Sequence, residues 1–105
     1  MRCRSCAQLP EEIRRAAGLL ERRYAFSIVV ASHEGAVRFN EFLQMLNPVS
    51  PATLASRLAE LERAGILERV IVDDSRPPRA EYHLTPLGAR LGAVVAALEA
   101  FAATA

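Results

Sequence analysis

The residues in this chain whose types and spacing could do chemistry fall into two groups. Cys3 and Cys6 form a C-x-x-C pair, a spacing suited to zinc binding or thiol redox chemistry. A structural zinc site usually needs a second pair of ligands. The only two histidines, His33 and His83, lie far away in different predicted elements, so no metal site is expected. Two such thiols stay reduced and unpaired in a reducing compartment but can join subunits under oxidation. The second group is Ser50, Thr53, Ser56 and Arg57, within the stretch SPATLASRLAELERAGILER from Ser50 to Arg69. A helix start with unpaired N–H groups, hydroxyls and a guanidinium, and no carboxylate before Glu60, can approach a polyanion. Clustered carboxylates, a Ser/His/Asp spacing and a phosphate-cradling glycine loop are all missing, so neither catalytic residues nor a cofactor is expected.

Those polar residues need an element to position them, and the pattern supplies one with both ends marked. Ser50 can cap a helix, Pro51 suits the first helical position, and Gly65 can take the left-handed conformation that ends it. Leu54, Leu58 and Leu61 recur at helical spacing and face a core, leaving Thr53, Ser56, Arg57 and Glu60 outside. Upstream, Phe39, Phe42, Leu43 and Leu46 mark a shorter helix over Asn40–Leu46, and Asn47, Pro48 and Val49 connect the two. This order predicts a helix-turn-helix over residues 39–65, with its second helix able to enter a major groove. Arg38, Asn40 and Ser50 are then expected near the nucleic-acid backbone, and Thr53, Ser56 and Arg57 toward base edges. Three of these also have a local use: Ser50 and Asn40 as caps, Arg38 as a partner of Glu41.

Downstream, the β-branched run Ile66–Val72 and the segment Ala80–Leu84 predict two strands around the turn-forming DDSRPPR. A hairpin over 66–84, directly after the recognition helix, is a wing. Arg76 and Arg79 in it can reach sugar-phosphate or a minor groove, whereas Asp73 and Asp74 would be repelled.

Toward the N-terminus, residues 1–9 read as a flexible leader ahead of a single domain over 10–105. Pro10–Arg23 predicts a helix, with Glu11 and Glu12 in its first turn and Ile13, Ala16, Ala17 and Leu20 as a buried stripe. The apolar run after Tyr24 predicts a buried helix, although Ile28, Val29 and Val30 suit a strand equally by propensity. Thr85 and Pro86 open a last helix over 86–103. Its stripe of Leu87, Leu91, Val94, Val95, Leu98 and Phe101 exceeds what the small core needs, which calls for a partner subunit. Two-fold symmetry would then set two recognition helices about 34 Å apart on a palindrome.

Bulk properties agree with this scale. A chain of 105 residues, 51% hydrophobic and 24% charged, makes one modest globular domain. Arg90 and Glu99 interrupt the last apolar segment, so it is expected to pack on protein and not to span a bilayer. The N-terminus shows no signal-peptide core, which points to the cytoplasm. A net charge of +1 does not by itself indicate nucleic acid, though all 13 basic residues are arginine, the side chain suited to bidentate phosphate contacts.

With the wing and its exit in view, the sequence resembles the HxlR-type winged helix-turn-helix regulators, relatives of the MarR-like group, over roughly Glu11 to Leu98. The resemblance rests on Arg38-Phe39-Asn40-Glu41, Ser50-Pro51 with Thr53-Leu54, and Arg57-Leu58 to Leu61-Glu62 closing at Ala64-Gly65. It continues with Pro78-Arg79 through Glu81-Tyr82 to Leu84-Thr85-Pro86-Leu87-Gly88. It implies a mainly α fold with a small β-hairpin and a homodimeric transcription factor on double-stranded DNA. The dimer would be joined by terminal helices through Ile13, Ala17, Leu20, Leu91, Val94, Val95, Leu98 and Phe101. Family members often respond to oxidants. This chain departs in having Arg22-Arg23-Tyr24 where Gly-Lys-Trp is usual, and Ala52 and Ser56 where a basic residue is common. The family's sensing cysteine would align near Glu11, so Cys3 and Cys6 do not inherit that role by position. The thinned basic face leaves a second reading, a winged helix that binds protein and not DNA.

Overall fold

The apolar run after Tyr24 folds as a helix and not as a strand. The computed structural model describes residues 6–74 and 76–105, and in it Ala25–His33 (here α2) is the central helix. Ile28 and Val29 have no exposed surface and Ala25 and Ala31 almost none. A helix apolar all round must be surrounded, and tertiary burial overrides the strand preference of its β-branched residues. Around it lie α1 (Glu11–Glu21), α3 (Phe39–Met45) and α4 (Pro51–Arg63), followed by β1 (Leu67–Val72), β2 (Arg79–Leu84), α5 (Pro86–Ala89) and α6 (Gly92–Thr104). The core joins Ile28 and Val29 to Phe42 of α3, to Leu54, Leu58 and Leu61 of α4, and to Ile66 and Leu67 at the wing root. Each such side chain contributes about 1.5–3 kcal/mol by leaving water.

The hairpin is antiparallel, with Leu67 opposite Leu84, Arg69 opposite Tyr82 and Val72 opposite Arg79. A third segment touches its free edge. Tyr82 N–H donates to the Val37 carbonyl at 2.7 Å, and Arg38 pairs beside Glu81 as an isolated bridge. The approach to α3 is thereby fastened to the wing. Mostly helical with one two-stranded hairpin, the chain is a winged helix-turn-helix.

Three expectations need correction. The stripe of α1 is not buried within the chain: α1 contains no buried residue and Ile13 is 51% exposed, because no described residue covers its outer side. Arg22 and Arg23 fall beyond the end of α1, where Arg22 takes an ordinary extended conformation (φ −68°, ψ 140°). The family's glycine is therefore not needed at that position, and the left-handed residue of this corner is Tyr24 (φ 72°). The single helix expected over 86–103 divides at Arg90–Leu91. There the Arg90 and Leu91 N–H groups bond three residues back, to Leu87 and Gly88, in a tightened turn. Between its ends, Pro86–Thr104 is long and apolar enough to cross a membrane by length and composition, while Val95 packs it into the core of this fold.

Candidate nucleic-acid interface

The start of α4 is built from its own polar residues. The Ser50 hydroxyl accepts from Thr53 N–H at 3.1 Å and donates to Thr53 Oγ1 at 3.0 Å, with Pro51 at the first turn. One orphan donor of the helix is satisfied and the other early N–H groups stay on the surface. Ala52 and Ser56 are exposed and Thr53 half-buried, so this end presents hydroxyls and backbone donors. At the far end Gly65 (φ 79°) closes the helix, and its carbonyl accepts from the Thr85 hydroxyl. The connector from α3 is pinned by buried Val49.

Arg57 is placed differently from its expected outward, base-facing position. Its Nε donates to the Arg23 carbonyl at 3.0 Å, and its guanidinium lies 3.5 Å from Glu60, which also meets Arg22 at 3.4 Å. The side chain is only 15% exposed. It sews the α1–α2 corner onto α4, a use that spacing within α4 cannot reveal because the partner carbonyl lies 34 residues away.

Ahead of α3, the Glu41 carboxylate accepts from the Val37 and Arg38 N–H groups, both at 2.9 Å. These two bonds hold its pKa below the ordinary glutamate value, with nearby Arg38 and Arg79 adding to the effect. Glu41, and not Asn40, is thus the capping side chain, and Asn40 is exposed at the start of α3. On the wing, Arg79 lies 3.4 Å from Glu81, which His83 also meets at 2.9 Å. His83 first, then Arg79, lowers the Glu81 pKa. Arg76 is exposed in the turn. Between the start of α3 and the hairpin runs a cleft of about 340 Å³ that gathers Arg38, Asn40, Arg79 and Tyr82 with Arg69. Arg69 was not singled out from sequence; its signal is the alternation that sets it on the Leu67 face of β1.

The residues expected to join subunits divide by face. Ile13, Ala17, Leu20, Leu91 and Val94 line one apolar groove of about 490 Å³ between α1 and α5–α6. Leu98 and Phe101 continue exposed along α6 at 39% and 67%. Val95 is corrected: at 3% exposure it belongs to the subunit's own core, because it points from α6 toward α2. Cys6 is exposed, and Cys3 lies outside the described residues. No group of three His, Cys, Asp or Glu side chains able to hold a metal occurs among the described residues.

A helix-turn-helix whose second helix is capped and open at its start, with a wing fastened to the first, defines a protein of the winged helix-turn-helix class. The HxlR-like helix-turn-helix family matches residues 19–105, and the chain belongs to that family. The uncharacterized HTH-type transcriptional regulator YtfH of Escherichia coli is 41% identical over 76 residues, 72% of this chain; the match spans 60% of YtfH's own length. The HTH-type transcriptional regulator YodB of Bacillus subtilis is 34% identical over 87 residues, 83% of this chain and 77% of YodB. The reduced form of YodB superimposes with a TM-score of 0.77 at 32% identity, covering 90% of this chain and 92% of that one. The redox regulator HypR in its oxidized form shares the fold, with a TM-score of 0.81 at 24% identity over 90% of this chain and 96% of that one.

Proposed function

We propose that this chain is a cytoplasmic, sequence-specific DNA-binding transcriptional regulator that acts as a homodimer on a palindromic operator. The observation that carries the reading is the common framework: the open start of α4 and the arginine-bearing wing share one rigid core, while α1 and α5–α6 leave an apolar groove beside it. Thr53 and Ser56 face base edges, with Ser50, Arg38, Asn40, Arg76 and Arg79 toward the backbone. Arg57 supports the helix from behind and contributes its charge from a half-buried position. Burying the groove and the exposed Leu98 and Phe101 against a second copy sets the two recognition helices about 34 Å apart.

The test is selection of bound fragments from genomic DNA, followed by affinity measurements over a salt series with parent, Ser56→Ala and Arg79→Ala. Ser56→Ala is expected to relax preference at particular bases, and Arg79→Ala to weaken all sequences and flatten the salt dependence. A parent that selects no sequence and binds duplexes only at low salt would overturn the reading in favour of a protein-binding winged helix. YodB has been crystallised after diamide treatment and with a quinone bound, and HypR is a redox regulator. We propose separately, from the C-x-x-C spacing and not by position from those proteins, that Cys3 and Cys6 join subunits on oxidation. Non-reducing electrophoresis after mild peroxide, with Cys3→Ser and Cys6→Ser controls, reads it directly; a parent that runs as a monomer removes it.

A further inference from the structure

The side of α4 turned away from Leu54, Leu58 and Leu61 carries Ala52, Ala55, Ser56 and Ala59, and the first three of these are exposed. From Pro51 to Ala59 the only guanidinium is that of Arg57, and no amide or carboxylate side chain occurs there. Arg57 is withdrawn, with its Nε donating to the Arg23 carbonyl and its side chain only 15% exposed. The Thr53 hydroxyl oxygen is held by Ser50. In a major groove, guanine is selected by a basic fork, adenine by an Asn or Gln amide, and the cytosine amino group by a carboxylate. None of these projects from the exposed face of α4. What projects is a pair of methyl groups flanking one hydroxyl, and a methyl is the natural contact of the thymine C5-methyl.

We propose that α4 selects thymine through its C5-methyl group, with Ala52 and Ala55 as the specificity-determining residues. The inference rests on the DNA-binding reading above and adds the base that the operator presents to this helix. The chain belongs to a helix-turn-helix family, and α4 is the member that such a motif offers to the groove. Its rotation is fixed from behind, since Leu54 and Leu58 have no exposed surface and the Ser50 cap sets its start, so the two alanines cannot turn away. Short side chains bring the helix backbone close to the base edges. From Ala52 to Ala59 the face covers about 10 Å of groove, or about three base-pair steps.

The test replaces each thymine of an operator selected from genomic fragments by deoxyuridine, which removes the methyl and keeps every hydrogen-bonding group. At the contacted thymines the parent is expected to lose about fourfold in affinity per methyl removed. Ala52→Gly and Ala55→Gly should each lose that sensitivity at one position; the ratio between thymine and deoxyuridine duplexes is read within each variant, so a general weakening of the glycine-bearing helix cancels. As an independent check with the parent alone, cytosine placed at a contacted position weakens binding and 5-methylcytosine there recovers about fourfold of the loss. A parent indifferent to every deoxyuridine, or glycine variants that keep the parent's sensitivity at every position, overturns the inference while DNA binding itself stands. A parent that selects no operator overturns the DNA-binding reading and this inference with it.

Discussion

At the scale of single residues, two positions show how far a side chain's neighbours decide its use. Gly88 lies where a Cβ would come 2.1 Å from the Ile66 carbonyl oxygen, a backbone atom that no rotamer change can move. Gly88→Ala is therefore expected to lower stability by about 3 kcal/mol, read as a fall in the urea midpoint, by forcing α5 off the wing root. The neighbouring Thr85 strengthens the constraint, since its Oγ accepts Gly88 N–H at 3.0 Å while its hydroxyl proton goes to the Gly65 carbonyl. Arg57 teaches the opposite lesson about legibility. Spacing alone puts it on the outer face of α4, and nothing nearby in sequence announces the Arg23 carbonyl that captures it. Arg57→Ala is accordingly expected to lose about 1 kcal/mol of stability through the Arg22–Glu60–Arg57 network, as well as affinity for DNA. A melting temperature equal to the parent's would mean that the network is only a surface arrangement.

At the scale of elements, caps and apolar periodicity were readable and edges were not. Ser50, Pro51, Gly65, Thr85 and Pro86 mark their helix ends in the sequence, and the structure places each of them there. Local chemistry of this kind is visible in any one stretch of chain. The edge contact between Val37–Arg38 and β2 was not visible, since it joins segments more than 40 positions apart. Glu41 secures that contact by holding both N–H groups of the approach, and its carboxyl is depressed chiefly by those bonds. A depressed acid stabilises the fold fully above the ordinary glutamate pKa and loses that contribution as pH falls through its own lower value. Glu41→Gln should therefore be less stable than the parent at neutral pH, with the gap closing as acid protonates the parent. Thermal melts across that range test it; a gap that stays constant with pH would place the effect elsewhere. Glu99 on α6 has the opposite sign. It is raised chiefly by the neighbouring Glu34 at the end of α2, so its ionised form is disfavoured in the fold.

At the scale of the whole molecule, the described surface is lopsided. The molecule measures 59 × 31 × 25 Å, and α6 buries only Val95 while Val94, Leu98 and Phe101 stay exposed. The sequence showed that this helix carries more apolar surface than one small core can use. It did not show which residues belong to which side, because in a helix lined with alanine every turn offers apolar positions in several directions. Adjacent positions now separate the two roles. Val95 is sealed in the core with Ile28 and Val29, so Val95→Asp buries a charge with no partner and should abolish cooperative folding. Val94 lies on the groove shared with Ile13 and Leu20, so Val94→Asp should leave the subunit folded, with unchanged far-ultraviolet dichroism. If a second copy covers that groove, Val94→Asp sediments as a monomer at concentrations where the parent is a dimer. Under the palindromic reading proposed above, its operator affinity then falls far more than its affinity for a single half-site. A Val94→Asp protein that remains dimeric would move the subunit interface away from the α1 groove, toward Leu98 and Phe101.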